Sequence, residues 1–196
     1  MAAIASCIEA CLYTAGRGQM SNVQTARQRK AEWFYRDRVG FMKQLYHDIQ
    51  KFSNYCKKRG IQPCVRLNGT TDIRWELIPA MPHNKMNIFQ EFPEVQFYDY
   101  TKIPNRKVAD YPNYHLTWSY SSANPKYEEL FWDVIRKGMS VAVVFRKPIN
   151  MTTWRGYKVV DGDKDDLRFL DPQSSIVALY AKGAAKHDST GFVQDI

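Results

Sequence analysis

Two cysteines near the start of the chain, Cys7 and Cys11, stand four residues apart. On a helix that spacing puts both thiols on one face, and thiolates hold soft metals and iron–sulfur clusters. Such sites use three or four ligands, so two cysteines do not close one. Cys56 and Cys64 lie far off in the sequence and read as small core residues. The residues therefore predict reduced thiols and no cofactor, with an iron–sulfur site on Cys7 and Cys11 as the alternative. The four histidines, His47, His83, His115 and His187, show no metal-ligand spacing. An acidic run from Asp161 to Asp166 begins like a calcium loop, but Asp166 and Pro172 occupy the positions that need glycine and glutamate. It reads as an acidic turn, with a magnesium site or salt bridges to the basic region as the alternatives. Residues 14–18 (TAGRG) are glycine-rich and precede a helix, as phosphate cradles do, but lack the lysine and spacing of a P-loop. No G-x-S-x-G nucleophile motif occurs.

Charge is the second chemical feature. Of 28 basic and 20 acidic residues, eleven basic and only three acidic ones (Glu32, Asp37 and Asp48) fall between Arg17 and Gly60. The remaining 17 basic and 17 acidic residues balance, so one segment carries the whole net charge of +8. Arg27, Arg29, Lys30, Arg36, Lys43, Lys51, Lys57, Lys58 and Arg59 form a candidate nucleic-acid surface. An acidic protein would suit the same surface. A plain solvated helical face is the alternative. Trp33, Phe34 and Tyr35 sit among these charges as base-stacking side chains do. Three consecutive aromatics cannot share a helix face, however, so at least one is expected in the core.

The elements that position these residues follow from pattern. Residues 25–35 read as a helix capped by Ser21 or Asn22. A second helix over 38–58 has Leu45, Ile49, Phe52 and Cys56 at steps of three and four, and Gly60 stops it. After Gly60 the chain turns to short apolar segments at 64–68, 95–99, 114–118, 140–145, 158–161 and 175–180, each of strand composition. A helix over 125–137 has Asn124 as cap and Gly138 as stop, and 79–85 reads as a loop. This alternation predicts one α/β domain over 1–196, with the basic two-helix segment at about 24–59 and the strand–helix alternation at 61–183. Its sheet is expected to be mainly parallel with covered faces, forming an open doubly wound sheet or a partial barrel. No apolar run approaches the ~20 residues of a membrane helix. The apolar start carries Glu9 and no basic segment, unlike a signal peptide. Sparse cysteines fit a cytoplasm.

Ligands of parallel α/β folds gather beyond the carboxyl ends of the strands. That rule selects Arg66, Asn68, Thr70, Thr71 and Asp72 after the first strand, then Asp99, Thr101 and Lys102 after the next. Thr117, Ser119 and Ser121 follow, then Arg146 and Lys147, Asp161 and Asp163, and finally Lys182. The candidate ligand pocket is drawn from these: Arg66, Asn68, Asp72, Asp99, Lys102, Ser119, Asp161, Asp163 and Lys182.

Several phrases resemble the "gene product 88" family of bacteriophages and mobile elements: 10–18 (ACLYTAGRG), 66–76 (RLNGTTDIRWE), 97–102 (FYDYTK), 114–119 (YHLTWS), 141–145 (VAVVF), 159–163 (VVDGD), 168–172 (RFLDP), 181–183 (AKG) and 188–193 (DSTGFV). The resemblance covers nearly the whole chain and implies action in the cytoplasm of a bacterial host. It brings no biochemical activity with it. The Cys7–Cys11 spacing is also similar to the radical S-adenosylmethionine motif, whose third cysteine follows the aromatic residue; Thr14 stands there after Tyr13. Longer family members carry a further cysteine before the position of Cys7. The resemblance thus implies a partial (β/α)6 barrel like that of radical S-adenosylmethionine proteins, with one cluster ligand missing. The first functional reading is a protein that binds nucleic acid or a nucleoprotein complex, as a counter-defence inhibitor would. A degenerate iron–sulfur enzyme using S-adenosylmethionine and a structural virion component are the alternatives.

Overall fold

Asp37 interrupts what would otherwise be one long helix. In the computed structural model, which describes residues 15–83, 85–148 and 150–195, α1 spans Ser21–Arg36 and α2 spans Arg38–Arg59. Asp37 leaves helical geometry at φ −139°, and its carboxylate caps α2 by accepting from the Gly40 N–H at 2.9 Å. α1 begins a turn earlier than its pattern predicts, because the 3-10 turn Gly16–Gln19 leads into it and Gln24 reaches back to the Gly18 carbonyl. Met20, not Ser21 or Asn22, takes its N-cap position. α2 ends at Gly60, whose φ of 64° is left-handed, so glycine suits the stop. Of the three consecutive aromatics, Phe34 is the buried one, edge-on to Phe41 and Trp75.

Eight strands follow: β1 (Cys64–Val65), β2 (Gln96–Thr101), β3 (Tyr114–Ser119), β4 (Val141–Phe145), β5 (Thr153–Trp154), β6 (Tyr157–Asp161), β7 (Ile176–Tyr180) and β8 (Val193–Gln194). They form one sheet in the order β1-β2-β3-β4-β7-β6-β5, parallel throughout except for the β5–β6 hairpin. The sheet is open. A six-unit barrel arc keeps its strands in sequential order, whereas here β7 lies between β4 and β6; the expected barrel is therefore not the arrangement found. β7 pairs along all of β4, so β3 and β8 must share its other edge: β3 pairs with Val141 and Ala142, β8 with Val144 and Phe145. β3 and β4 thus splay apart toward their carboxyl ends, and β8 fills the gap.

Register partners point to the same side of a sheet, which sorts the two faces. Phe97 and Leu116 pack with Met42 and Ile49 of α2 and with Ile88 and Phe89 of α3 (Ile88–Glu91). Val141, Val143, Phe145 and Ile176 pack with Tyr127, Phe131, Val134 and Ile135 of α4 (Pro125–Arg136). The Asn124 side chain caps α4, and Pro125 occupies its first turn. All these strand residues share one face, so the four helices lie together on it. The alternation of strands and helices predicts cover on both faces. Instead, the second face carries the irregular 162–175 segment, with Phe169 against Tyr98, and beside it an open hollow. Among the described residues no helix is long and apolar enough to cross a membrane.

Candidate functional site

The hollow lies over the carboxyl-terminal half of the sheet, where the strand order reverses. The steps from β1 to β4 run one way and the step from β6 to β7 runs back, which makes the β4–β7 boundary a topological switch point. The 66–72 loop is fixed beside it by a buried polar network. Asp99, on β2, accepts from the Asn68 backbone N–H at 2.7 Å and its side-chain amide at 3.2 Å. The Asn68 side-chain oxygen Oδ1 in turn takes bonds from the Thr71 hydroxyl, the Ile73 N–H and the Trp75 indole. Asp72 accepts from the Thr101 hydroxyl at 2.8 Å and the Lys102 N–H at 2.7 Å. Beneath them the buried Arg106 joins Glu76, Asp72 and the Tyr114 hydroxyl, which donates on to Asp99. Each buried polar atom of this chain is expensive to leave without a partner, so the network acts as a unit.

The cavity has a volume of about 480 Å³, within the range of small-molecule sites. Ala142 and Val144 of β4, Leu179 of β7 and Gly162 form its floor. Tyr100 walls one side, with the Arg66 guanidinium 4.7 Å above its ring; Phe192 is at the other. The Lys102 ammonium is buried, donates to the Ser119 and Tyr120 carbonyls, and lies 5.0 Å from the Phe192 ring. Arg66 pairs with Asp166 at 2.9 Å and Lys182 pairs with Asp163.

Six of the nine expected pocket residues line this cavity: Arg66, Asp72, Lys102, Ser119, Asp163 and Lys182. Asn68 and Asp99 lie behind its wall, and Asp161 is exposed, capping its own turn by accepting from the Asp163 N–H. Burial pushes the Asp99 carboxyl up to about 6, against the lowering pull of the Asn68 N–H, the Tyr114 hydroxyl and the Arg66 and Arg106 guanidiniums. Arg146 turns away to Asp195 and two main-chain carbonyls.

The basic residues of α1 and α2 lie elsewhere. Arg29, Lys30, Arg36, Lys43, Lys51, Lys57, Lys58 and Arg59 are all exposed, whereas Arg27 is half-buried, with one guanidinium nitrogen buried and unbonded. Among the described residues every salt bridge involves side chains beyond Gly60. The three acids of the segment are engaged by uncharged groups: Glu32 by Gln28, Asp48 by Gln44 and Asp37 by the Gly40 N–H. Of the cysteines, Cys56 is buried on the inner face of α2 and Cys64 opens β1 at the end of the sheet away from the cavity. Cys7 and Cys11 lie outside the described residues. At the 3-10 turn Gly16–Gln19, the Gly18 N–H is bonded to the Ala15 carbonyl and the Met20 N–H to the Arg17 carbonyl.

Three of the phrases that carried the family resemblance build this end of the molecule: 66–76 is the Asn68 network, 97–102 is β2 and its continuation, and 188–193 brings Phe192 and β8. Residues 2–196 match the protein family described as Gene product 88. The chain belongs to that family. No curated protein and no solved structure matches it.

In this Gene product 88 protein, sequence reasoning missed Tyr100, Arg106, Tyr114, Asp166 and Phe192. Arg106 stands in a polar stretch that reads as a solvated loop, yet its side chain is wholly buried. Tyr100 and Tyr114 carry the ordinary aromatic signal of strands. Contacts between residues distant in sequence give the network its meaning, Arg106 with Glu76 and Asn68 with Asp99 among them.

Proposed function

We propose that this protein binds nucleic acid through the outward surface of α1 and α2, in the cytoplasm of a bacterial host. The observation that carries the reading is the uncompensated charge. Exposed basic side chains on both helices have no carboxylate partner among the described residues, and the three acids of their segment are engaged by uncharged groups. A surface that only kept the protein soluble would gain by mixing signs. Unpaired cations over two helices instead release counterions when they meet phosphates, which drives binding. α2 has 22 residues, about 33 Å at the usual rise per residue, close to one turn of duplex DNA.

The experiment is salt-dependent binding to duplex DNA and to heparin. Affinity should fall steeply with salt, with a slope of about −0.9 per neutralised phosphate. Replacing Lys51, Lys57, Lys58 and Arg59 together with glutamine should flatten the slope by about three to four, and glutamate should abolish binding. All four side chains are exposed, so circular dichroism melts should move little. An unchanged heparin elution position in the glutamate variant rejects the reading.

A further inference from the structure

We infer that the cavity at the β4–β7 switch point takes a nucleoside, a planar heteroaromatic ring bearing a hydroxylated sugar. The inference is independent of the nucleic-acid reading, because the cavity and the basic surface share no residue. Three observations converge on this class. The floor is apolar and low: Ala142, Val144 and Leu179 are the side chains that project from the sheet there, and Gly162 presents no side chain at all. A ring lying on that floor meets Tyr100 at its side, with the Arg66 guanidinium over the Tyr100 ring as a second planar group at the same wall.

The polar groups stand at the edges. Asp163 uses one oxygen for the Tyr180 N–H and the other for Lys182, and Asp166 takes Arg66 and the Tyr100 hydroxyl. A carboxylate has about four acceptor sites, so each keeps capacity for sugar hydroxyls, the role an acidic residue plays beside a switch-point nucleotide site. The Thr70 and Thr71 hydroxyls add neutral donors and acceptors.

Charge decides between a nucleoside and its phosphates. The lining holds three basic side chains and four acidic ones. Arg66 and Lys182 already face carboxylates, and Lys102 donates to two main-chain carbonyls. A phosphate entering here meets no surplus of positive charge and must approach the acids at the rim. The uncharged ligand is therefore favoured over its own monophosphate.

The test is titration calorimetry and saturation-transfer NMR with adenosine, guanosine, cytidine and uridine, their 5′-monophosphates and their 2′,3′-dideoxy analogues. At least one ribonucleoside should bind saturably, with its monophosphate no tighter and its dideoxy analogue at least tenfold weaker. Tyr100→Leu should weaken binding at least tenfold, and Val144→Phe, which fills the floor, should abolish it. The variant with Lys51, Lys57, Lys58 and Arg59 replaced should bind the nucleoside unchanged, which separates this site from the helical surface. Should Val144→Phe fail to fold, Tyr100→Leu carries the test. Failure of all four ribonucleosides to bind overturns the inference. So does tighter binding of a monophosphate, binding that survives both cavity variants, or binding lost with the basic surface.

Discussion

Asp99 shows what a single residue's position does to its chemistry. Its sequence context, at a strand end in a polar cluster, marks it equally well as a pocket group or a support. Burial selects the second: its two oxygens hold the 66–72 loop through Asn68 and hold the Tyr114 hydroxyl. Burial also raises its carboxyl to about 6 from an ordinary 3.8. The folded state then binds a proton more tightly than the unfolded chain, so Asp99 makes stability fall as pH rises from about 4 to about 6. The size of the effect is on the order of 2–3 kcal/mol at most. Urea midpoints at pH 4.5 and pH 7 measure it: the loss between them should be larger in the native protein than in Asp99→Asn, which cannot titrate. Equal losses in the two proteins would remove Asp99 from the account. Cys64 offers a simpler contrast, since burial, with Cys56 nearby, raises its thiol and keeps it unreactive near neutrality.

Elements were legible where local chemistry sets their ends. The Asn124–Pro125 start of α4 and the Gly60 stop of α2 stand where cap rules place them. β5 and β8 were not legible, because two residues carry no periodicity and their pairing is decided by distant strands. The turn after β6 belongs to the same class. Gly162 is needed there for close approach: a Cβ would sit 2.6 Å from Val177 Cγ1 and 2.9 Å from the Ala178 carbonyl oxygen. Its neighbour on one side is backbone, which yields little. Gly162→Ala should therefore cost roughly 1–3 kcal/mol, as other overpacked sites do, and should widen the β6–β7 spacing under the cavity. A thermal melt checks the first effect. Loss of nucleoside binding in a variant still folded at 25 °C checks the second.

At the scale of the molecule, composition foretold the segregation of charge but not the order of the strands. The basic excess belongs to two helices whatever the topology. The placement of β7 inside β6 depends on a crossover, and the strand sequences themselves do not specify it. The wedge of β8 between β3 and β4 has the same origin. Asp188 anchors it, accepting from the Val193 N–H at 2.9 Å and from the Thr190 hydroxyl at 2.7 Å. Asp188→Ala should release the wedge at a cost of about 1–3 kcal/mol, most of it local. Native-state hydrogen exchange should then quicken at Val193 and Gln194 while the α2 amides keep their protection. Uniform acceleration across the chain would show instead that β8 and the core open together.

The wedge also sets a timetable. A chain leaves the ribosome from its amino end, and segments fold as they emerge. β2 and β3, with the Asn68 loop, can pair once about 120 residues are free, and α4 can dock soon after on β4. Once β7 has joined β4 the cavity has a floor and one wall but no Phe192, and the strip of β4 that receives β8 still shows unpaired backbone. An unfilled strip of parallel sheet is a place where another chain can pair. Only when residue 193 emerges is the gap closed from within. Completion of the pocket and protection of this strip are thus one event, so a nascent chain with a finished pocket is one that no longer offers the strip to another chain.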